Sequence, residues 1–131
     1  MKATVDTNIL VRAVVADDRS QAAAASRLLL SAELIALPLV ILCELVWVLR
    51  TVYDFPRQEI ASAVESLMNA ENVVVNRLAA EAGLAVLKAG GDFADGVIAW
   101  EGRWLGGETF VSFDKKAVAR IREQGEATRL L

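Results

Sequence analysis

A chain of 131 residues, 55% hydrophobic and with only two prolines, is too apolar to be disordered and long enough to bury a core, so it is expected to form one domain over residues 1–131. It holds no histidine and a single cysteine, which excludes Ser-His and Cys-His hydrolases, zinc sites of the His and Cys kind, and an internal disulfide. The net charge of −3 neither suggests nor forbids a polyanion partner, because a bound cation reverses the local sign of its own acids. What remains for chemistry is mainly oxygen ligation by carboxylates, the preference of hard cations such as magnesium and manganese. The longest uncharged run, Leu34 to Cys43, is too short to span a bilayer, so no membrane role is expected. The start of the chain has no apolar secretory segment, and the lone Cys43 suits a reducing cytoplasm.

Short β-branched runs alternate with longer helix-period segments, the pattern of a parallel sheet covered by helices. Strands are expected near residues 2–5, 34–37, 73–75, 109–113 and 127–130. The first ends at Asp6, and Asn8 is in position to cap a helix from Ile9 to about Ala16. The alanine-rich segment from Ser20 is helical by propensity, with Leu28, Leu29 and Leu30 expected to reach the core. Pro38 closes the second strand or opens the next helix. That helix, Leu39 to Tyr53, is apolar almost all round and reads as buried, with Glu44 in its middle.

Pro56 suits the first turn of another helix, and Asn72 leads into the strand "VVV". A helix from about Leu78 to Ala89 is expected to exit through Gly90 and Gly91. The segment "DFADGVIAWEGRWLG" starts a helix with an acidic first turn and stops at Gly106 and Gly107. "ETFVSF", a short basic helix "KKAVARIREQ" and a last apolar segment close the chain.

Four acids stand at the edges of apolar stretches. Asp6 follows the first strand, and in open parallel sheets the carboxyl ends of strands face the ligand; its other reading is a turn residue. Thr7 and Asn8 beside it are candidates for supporting hydrogen bonds. Glu44 has Val40, Ile41, Trp47 and Val48 as its helical neighbours, so no intrahelical partner satisfies it. It is therefore protonated, reached by a remote base such as Arg12, or bound to a metal.

Asp92 and Asp95 share a helix face. Asp92 is best read as the N-cap, with Asp95 reaching back as in a capping box or serving a site. Asp114 is equally a cap for the basic helix and a site acid. Ser112 alternates with Val111 and Phe113 and points toward the site or toward water. The cluster Lys115, Lys116, Arg120 and Arg122 reads as a solvated helix face.

The blocks "VDTNIL", "LCELVWVLR", "GGDFADGVIA" and "TFVSFDKKAVARI" resemble, in order and spacing, the PIN domain of VapC-type toxins over nearly the whole chain. The resemblance implies a three-layer α/β/α fold around a central, mainly parallel sheet of about five strands. It implies a Mg2+- or Mn2+-dependent endoribonuclease that cuts RNA and is inhibited by a cognate antitoxin protein. Carried over, the catalytic and metal-binding acids are Asp6, Glu44, Asp95 and Asp114, with Asn8, Asp92 and Ser112 as accessory residues. Exposed apolar residues such as Trp104 are further expected to form a homodimer or antitoxin interface. A non-catalytic PIN-like module that binds RNA or protein is the rival reading. A phosphoaspartyl hydrolase would need a second acid where Asn8 stands, and a response-regulator receiver a lysine where Asp114 stands.

Overall fold

In the computed structural model, which describes residues 1–131, five strands and seven helices alternate along the chain, and every strand pair is parallel. The α/β class and the five strand positions agree with the expectation to within a residue or two. The strands are distributed over two sheets rather than one continuous ladder. The chain divides into two compact units, Met1–Asn76 and Arg77–Leu131.

In the first unit, β1 (Lys2–Thr4), β2 (Leu34–Leu37) and β3 (Val73–Val75) lie side by side in chain order. Ala3 stands opposite Ile35, and Ala36 opposite Val74. The middle strand is the buried one: Ile35 and Leu37 face the core, as expected of a strand paired on both edges. Two helical hairpins make the crossovers, α1 (Thr7–Val15) with α2 (Arg19–Ser31) and α3 (Leu39–Thr51) with α4 (Arg57–Asn69). Asn72 ties the first hairpin to β3, its side-chain amide donating to the carbonyls of Leu29 at 2.8 Å and Ala32 at 2.9 Å. Those carbonyls at the end of α2 would otherwise lack intrahelical donors.

Two expectations about burial fail here. In α2 only Ala25 is buried, and Leu30 is 86% exposed with Leu28 and Leu29 half-buried. Three consecutive leucines span about 200° of a helix, so they cannot all face one core. The same geometry corrects α3. Ile41, Leu42, Leu45, Val46 and Leu49 form its buried stripe. The opposite side presents Glu44 to solvent, flanked by Val40 at 62% and Trp47 at 63% exposure. Glu44 is therefore not buried.

The second unit begins with a helical hairpin, α5 (Arg77–Lys88) and α6 (Phe93–Trp104), and ends with β4 (Phe110–Ser112), α7 (Lys115–Glu123) and β5 (Thr128–Leu130). β4 and β5 pair with each other across α7, which makes a β-α-β element complete in its own ladder and accounts for the separate sheet. The hairpin helices meet through glycines. A Cβ on Gly96 would lie 2.5 Å from the Ala82 carbonyl oxygen, and one on Gly83 would lie 2.7 Å from the ring of Phe93, which is fully buried. This contact seats the first turn of α6, where Asp92 and Asp95 reside. Gly90 leaves α5 with φ +101° and Gly106 leaves α6 with φ +105°, the left-handed exits expected for both.

Candidate active site

Three of the candidate acids are helix N-caps. The Asp6 carboxylate follows β1 and accepts the Ile9 N–H at 3.3 Å. The cap expected of Asn8 thus belongs to Asp6, and α1 begins two residues earlier than expected, at Thr7. The reason is spacing: a cap accepts from the N–H two or three residues on. From Asp6 that donor is Ile9, whereas Asn8 already lies inside the first turn. Asn8 is exposed and lines a cleft with Asp6.

Glu44 projects from α3 and accepts a hydrogen bond from the Thr7 hydroxyl on α1. Its partner is thus a neutral donor on the neighbouring helix. Arg12 does not reach it but pairs with Asp17 at 3.2 Å. Thr7 therefore joins the two candidate acids of the first unit: its backbone follows Asp6 and its side chain holds Glu44. Of the groups flanking Asp6, it is the hydroxyl, not the Asn8 amide, that makes this contact.

In the second unit, Asp92 caps α6 by accepting the Ala94 N–H at 3.3 Å. Asp114 caps α7 by accepting the N–H groups of Lys116 at 2.9 Å and Ala117 at 3.2 Å. Ser112, at the end of β4, takes the Asp114 N–H on its hydroxyl at 2.9 Å and so fixes the approach of that cap. Ser112 thus serves the turn that aims Asp114.

Asp95 differs from all of these. It sits half-buried in the first turn of α6, and its backbone N–H bonds the Asp92 carbonyl at 3.1 Å. Its carboxyl is raised from 3.8 to about 6, by burial first and then by the negative charges of Asp92 and Asp114. The helix N-terminus favours a carboxylate at this place, so desolvation and like charge outweigh it.

Asp92, Asp95 and Asp114 accordingly form one electrostatic group. All the candidate donors are oxygens, with no histidine in the chain, and such a set fits a hard divalent cation in its chemistry. No three His, Cys, Asp or Glu side chains meet in ligating geometry. The feature that fits a cation is instead a half-buried carboxyl, Asp95, raised by burial and then by the charges of Asp92 and Asp114, a cost that a bound cation would relieve.

Around these acids, Lys115, Lys116 and Arg122 are exposed, and Arg120 pairs with Glu123 at 3.2 Å. The basic helix face is solvated as expected. Trp100 and Trp104 stack in parallel on α6 with ring centroids 5.9 Å apart, and Trp104 is 79% exposed. No helix is long and apolar enough to cross a membrane.

Among known families, the chain matches the PIN domain over residues 3–124. No curated protein matches it significantly.

Proposed function

The chain belongs to the PIN domain family, a family of mostly metal-dependent nucleases, and from that premise we propose that it is an endoribonuclease that hydrolyses RNA phosphodiester bonds with Mg2+ or Mn2+. The observation that carries this reading is Asp95, held half-buried against the charges of Asp92 and Asp114. A scaffold has no use for carboxylates arranged to repel one another.

The residues that would hold the cation are Asp6, Glu44, Asp95 and Asp114, with Asn8, Asp92 and Ser112 as accessory groups. The chemistry such a cation supplies is activation of a water for attack on phosphorus and neutralisation of charge on the phosphoryl oxygens. The chain's own residues orient the donors. The α1 and α7 N-termini hold the carboxylates of Asp6 and Asp114, Thr7 holds that of Glu44, and Ser112 holds the Asp114 backbone.

The test offers total RNA to the wild type, Asp6→Asn and Asp95→Asn, with and without magnesium or manganese, and maps new ends by sequencing. New ends are expected only with wild type and metal. Full metal-dependent cleavage by Asp95→Asn would overturn the site assignment. RNA retained by the wild type without new ends would favour a binding module.

The same reading extends to a toxin role, with a cognate antitoxin and a homodimer as partners. Exposed Val40 and Trp47 on α3 and Trp104 and Leu105 at the end of α6 offer apolar contact surface for them. A monomer at high concentration by light scattering, with no protein co-purifying from the native host, would remove that extension.

A further inference from the structure

A cleft of ≈ 550 Å³ lies between α1 and α2 in the first unit, and of its lining the nuclease reading uses only Asp6 and Asn8. Its size lies within the roughly 300–1,000 Å³ typical of small-ligand sites. We infer that this cleft is the pocket for the nucleotide beside the scissile phosphate of a single-stranded RNA. The inference rests on the nuclease reading for the nature of the ligand, and on the composition of the cleft for its place.

Ile9, Ala25 and Leu28 give the cleft an apolar lining on which a base can lie. Asn8 on α1 and Gln21 on α2 line it from opposite walls, and neither side-chain amide is engaged within the protein. An amide offers a donor and an acceptor side by side, the pairing that reads base edges. Single-stranded RNA presents those edges unstacked, whereas an A-form duplex hides them.

One charged group in the cleft suits a phosphate. Arg12 is the one cation lining the cleft, and its partner Asp17, at 3.2 Å, is itself about half exposed. An exposed ion pair of this kind is worth little and exchanges readily for a phosphate, which guanidinium binds in bidentate fashion. Asp6 belongs both to this wall and to the proposed cleavage centre, so an occupant of the cleft has its own backbone next to that acid. A protein segment would also suit the apolar lining, but it would not call for a cation and two free amides beside an acid of the cleavage centre.

The turn joining the helices is tightly set. Ala16 ends α1 in the left-handed region at φ 57°, and Asp18 caps α2 by accepting the Gln21 N–H at 3.0 Å. The two walls are thereby held before any ligand arrives.

The test measures binding of a fluorescent, short single-stranded RNA of mixed sequence by anisotropy, in chelator, to the Asp95→Asn protein, whose substitution lies outside the cleft. Two further substitutions are added to it separately, Ala24→Trp to fill the cleft and Gln21→Ala to remove one amide. Both positions are exposed, and unchanged melting temperatures verify the fold. Ala24→Trp is expected to weaken RNA binding about fivefold, by excluding the base from the aliphatic wall of Ile9, Ala25 and Leu28. Gln21→Ala is expected to weaken it about fivefold, by an amount that differs among homopolymers of the four bases offered in the same assay.

Parent-like affinity in both folded variants overturns the inference, and if the wild type still cuts RNA, the nuclease reading stands without it. Weakened binding alongside a wild type that never cuts RNA would leave the cleft as an RNA pocket and remove the nuclease reading. Loss of a bound protein partner with RNA affinity intact would also overturn the inference, with a protein as the occupant.

Discussion

The acids of the two units are treated in opposite ways. In the first unit, Asp6 and Glu44 are exposed and each accepts a hydrogen bond, from Ile9 N–H and from the Thr7 hydroxyl. In the second, Asp92 and Asp114 are likewise satisfied as caps, but their charges bear on a half-buried Asp95 whose carboxyl is pushed up to about 6. Acids that accept a hydrogen bond at the surface cost the fold little and keep lone pairs free for a ligand, whereas Asp95 costs stability whenever it ionises. The difference teaches that the electrostatic cost is concentrated on one residue, while the other acids are settled at helix starts or by a hydroxyl.

The sharpest way to break this comparison is catalytic. Asp95→Asn and Asp6→Asn should each lower metal-dependent RNA cleavage by about 10²–10³-fold or more, by analogy with the loss of a group stabilising transition-state charge. Chelation should abolish cleavage in the wild type. A variant of Asp6 that cuts normally while one of Asp95 does not would confine the chemistry to the second unit.

Next in size is the seat of Asp95. Gly96→Ala would place a methyl 2.5 Å from the Ala82 carbonyl oxygen, a backbone atom that cannot move aside unless the helices separate. Loss of about 3 kcal/mol is expected, read from the denaturant midpoint. Gly102→Ala, where no atom lies within 4 Å, should be neutral or slightly stabilising and serves as its control.

Asp95→Asn should also stabilise the metal-free protein. Because its folded pKa exceeds the unfolded value, the folded state binds the proton more tightly between about pH 4 and pH 6. The cost of ionising it is absent below that window, grows as pH rises through 6, and is fully present at pH 8. After allowance for partial exposure, Asp95→Asn should gain about 1 to 2 kcal/mol at pH 8 and nothing at pH 4. Equal gains at both pH values would mean that the stabilisation is not electrostatic.

Smaller effects probe the first unit. Thr7→Val removes the donor to Glu44 and should cost about 1 kcal/mol or less, with Thr7→Ser restoring both stability and cleavage. Ala16→Gly relieves a left-handed alanine at φ 57° and should gain about 0.5 kcal/mol with no change in cleavage.

Much of this was legible in the chain. Strand positions followed from β-branched runs, and the exits at Gly90 and Gly106 from glycine's tolerance of positive φ. The cap at Asp92 was readable because its helix opens on an acidic first turn. Glu44 was not readable as exposed, because the apolar Val40 and Trp47 on its own face disguise a solvent-facing side as a core side. Only the stripe of Ile41, Leu42, Leu45, Val46 and Leu49 resolves the two. Asp6 and Asn8 are both good capping residues two apart, and local chemistry cannot separate them without the helix start. The Asp95 carboxyl is raised first by burial, then by Asp92 and last by Asp114, nineteen positions away in the chain, and its burial belongs to the tertiary fold.

The helix caps have a practical consequence for anyone selecting disabled forms of this protein. Asp6, Asp92 and Asp114 each open a helix, and alanine there removes a cap worth about 1 kcal/mol along with the charge. Asparagine caps as well as aspartate does, so it silences the charge while leaving the helix start intact. A screen that scores alanine variants at these positions would merge lowered abundance with lost chemistry. One that compares asparagine with alanine, position by position, separates the acids needed for cutting from those needed only for holding the chain in shape.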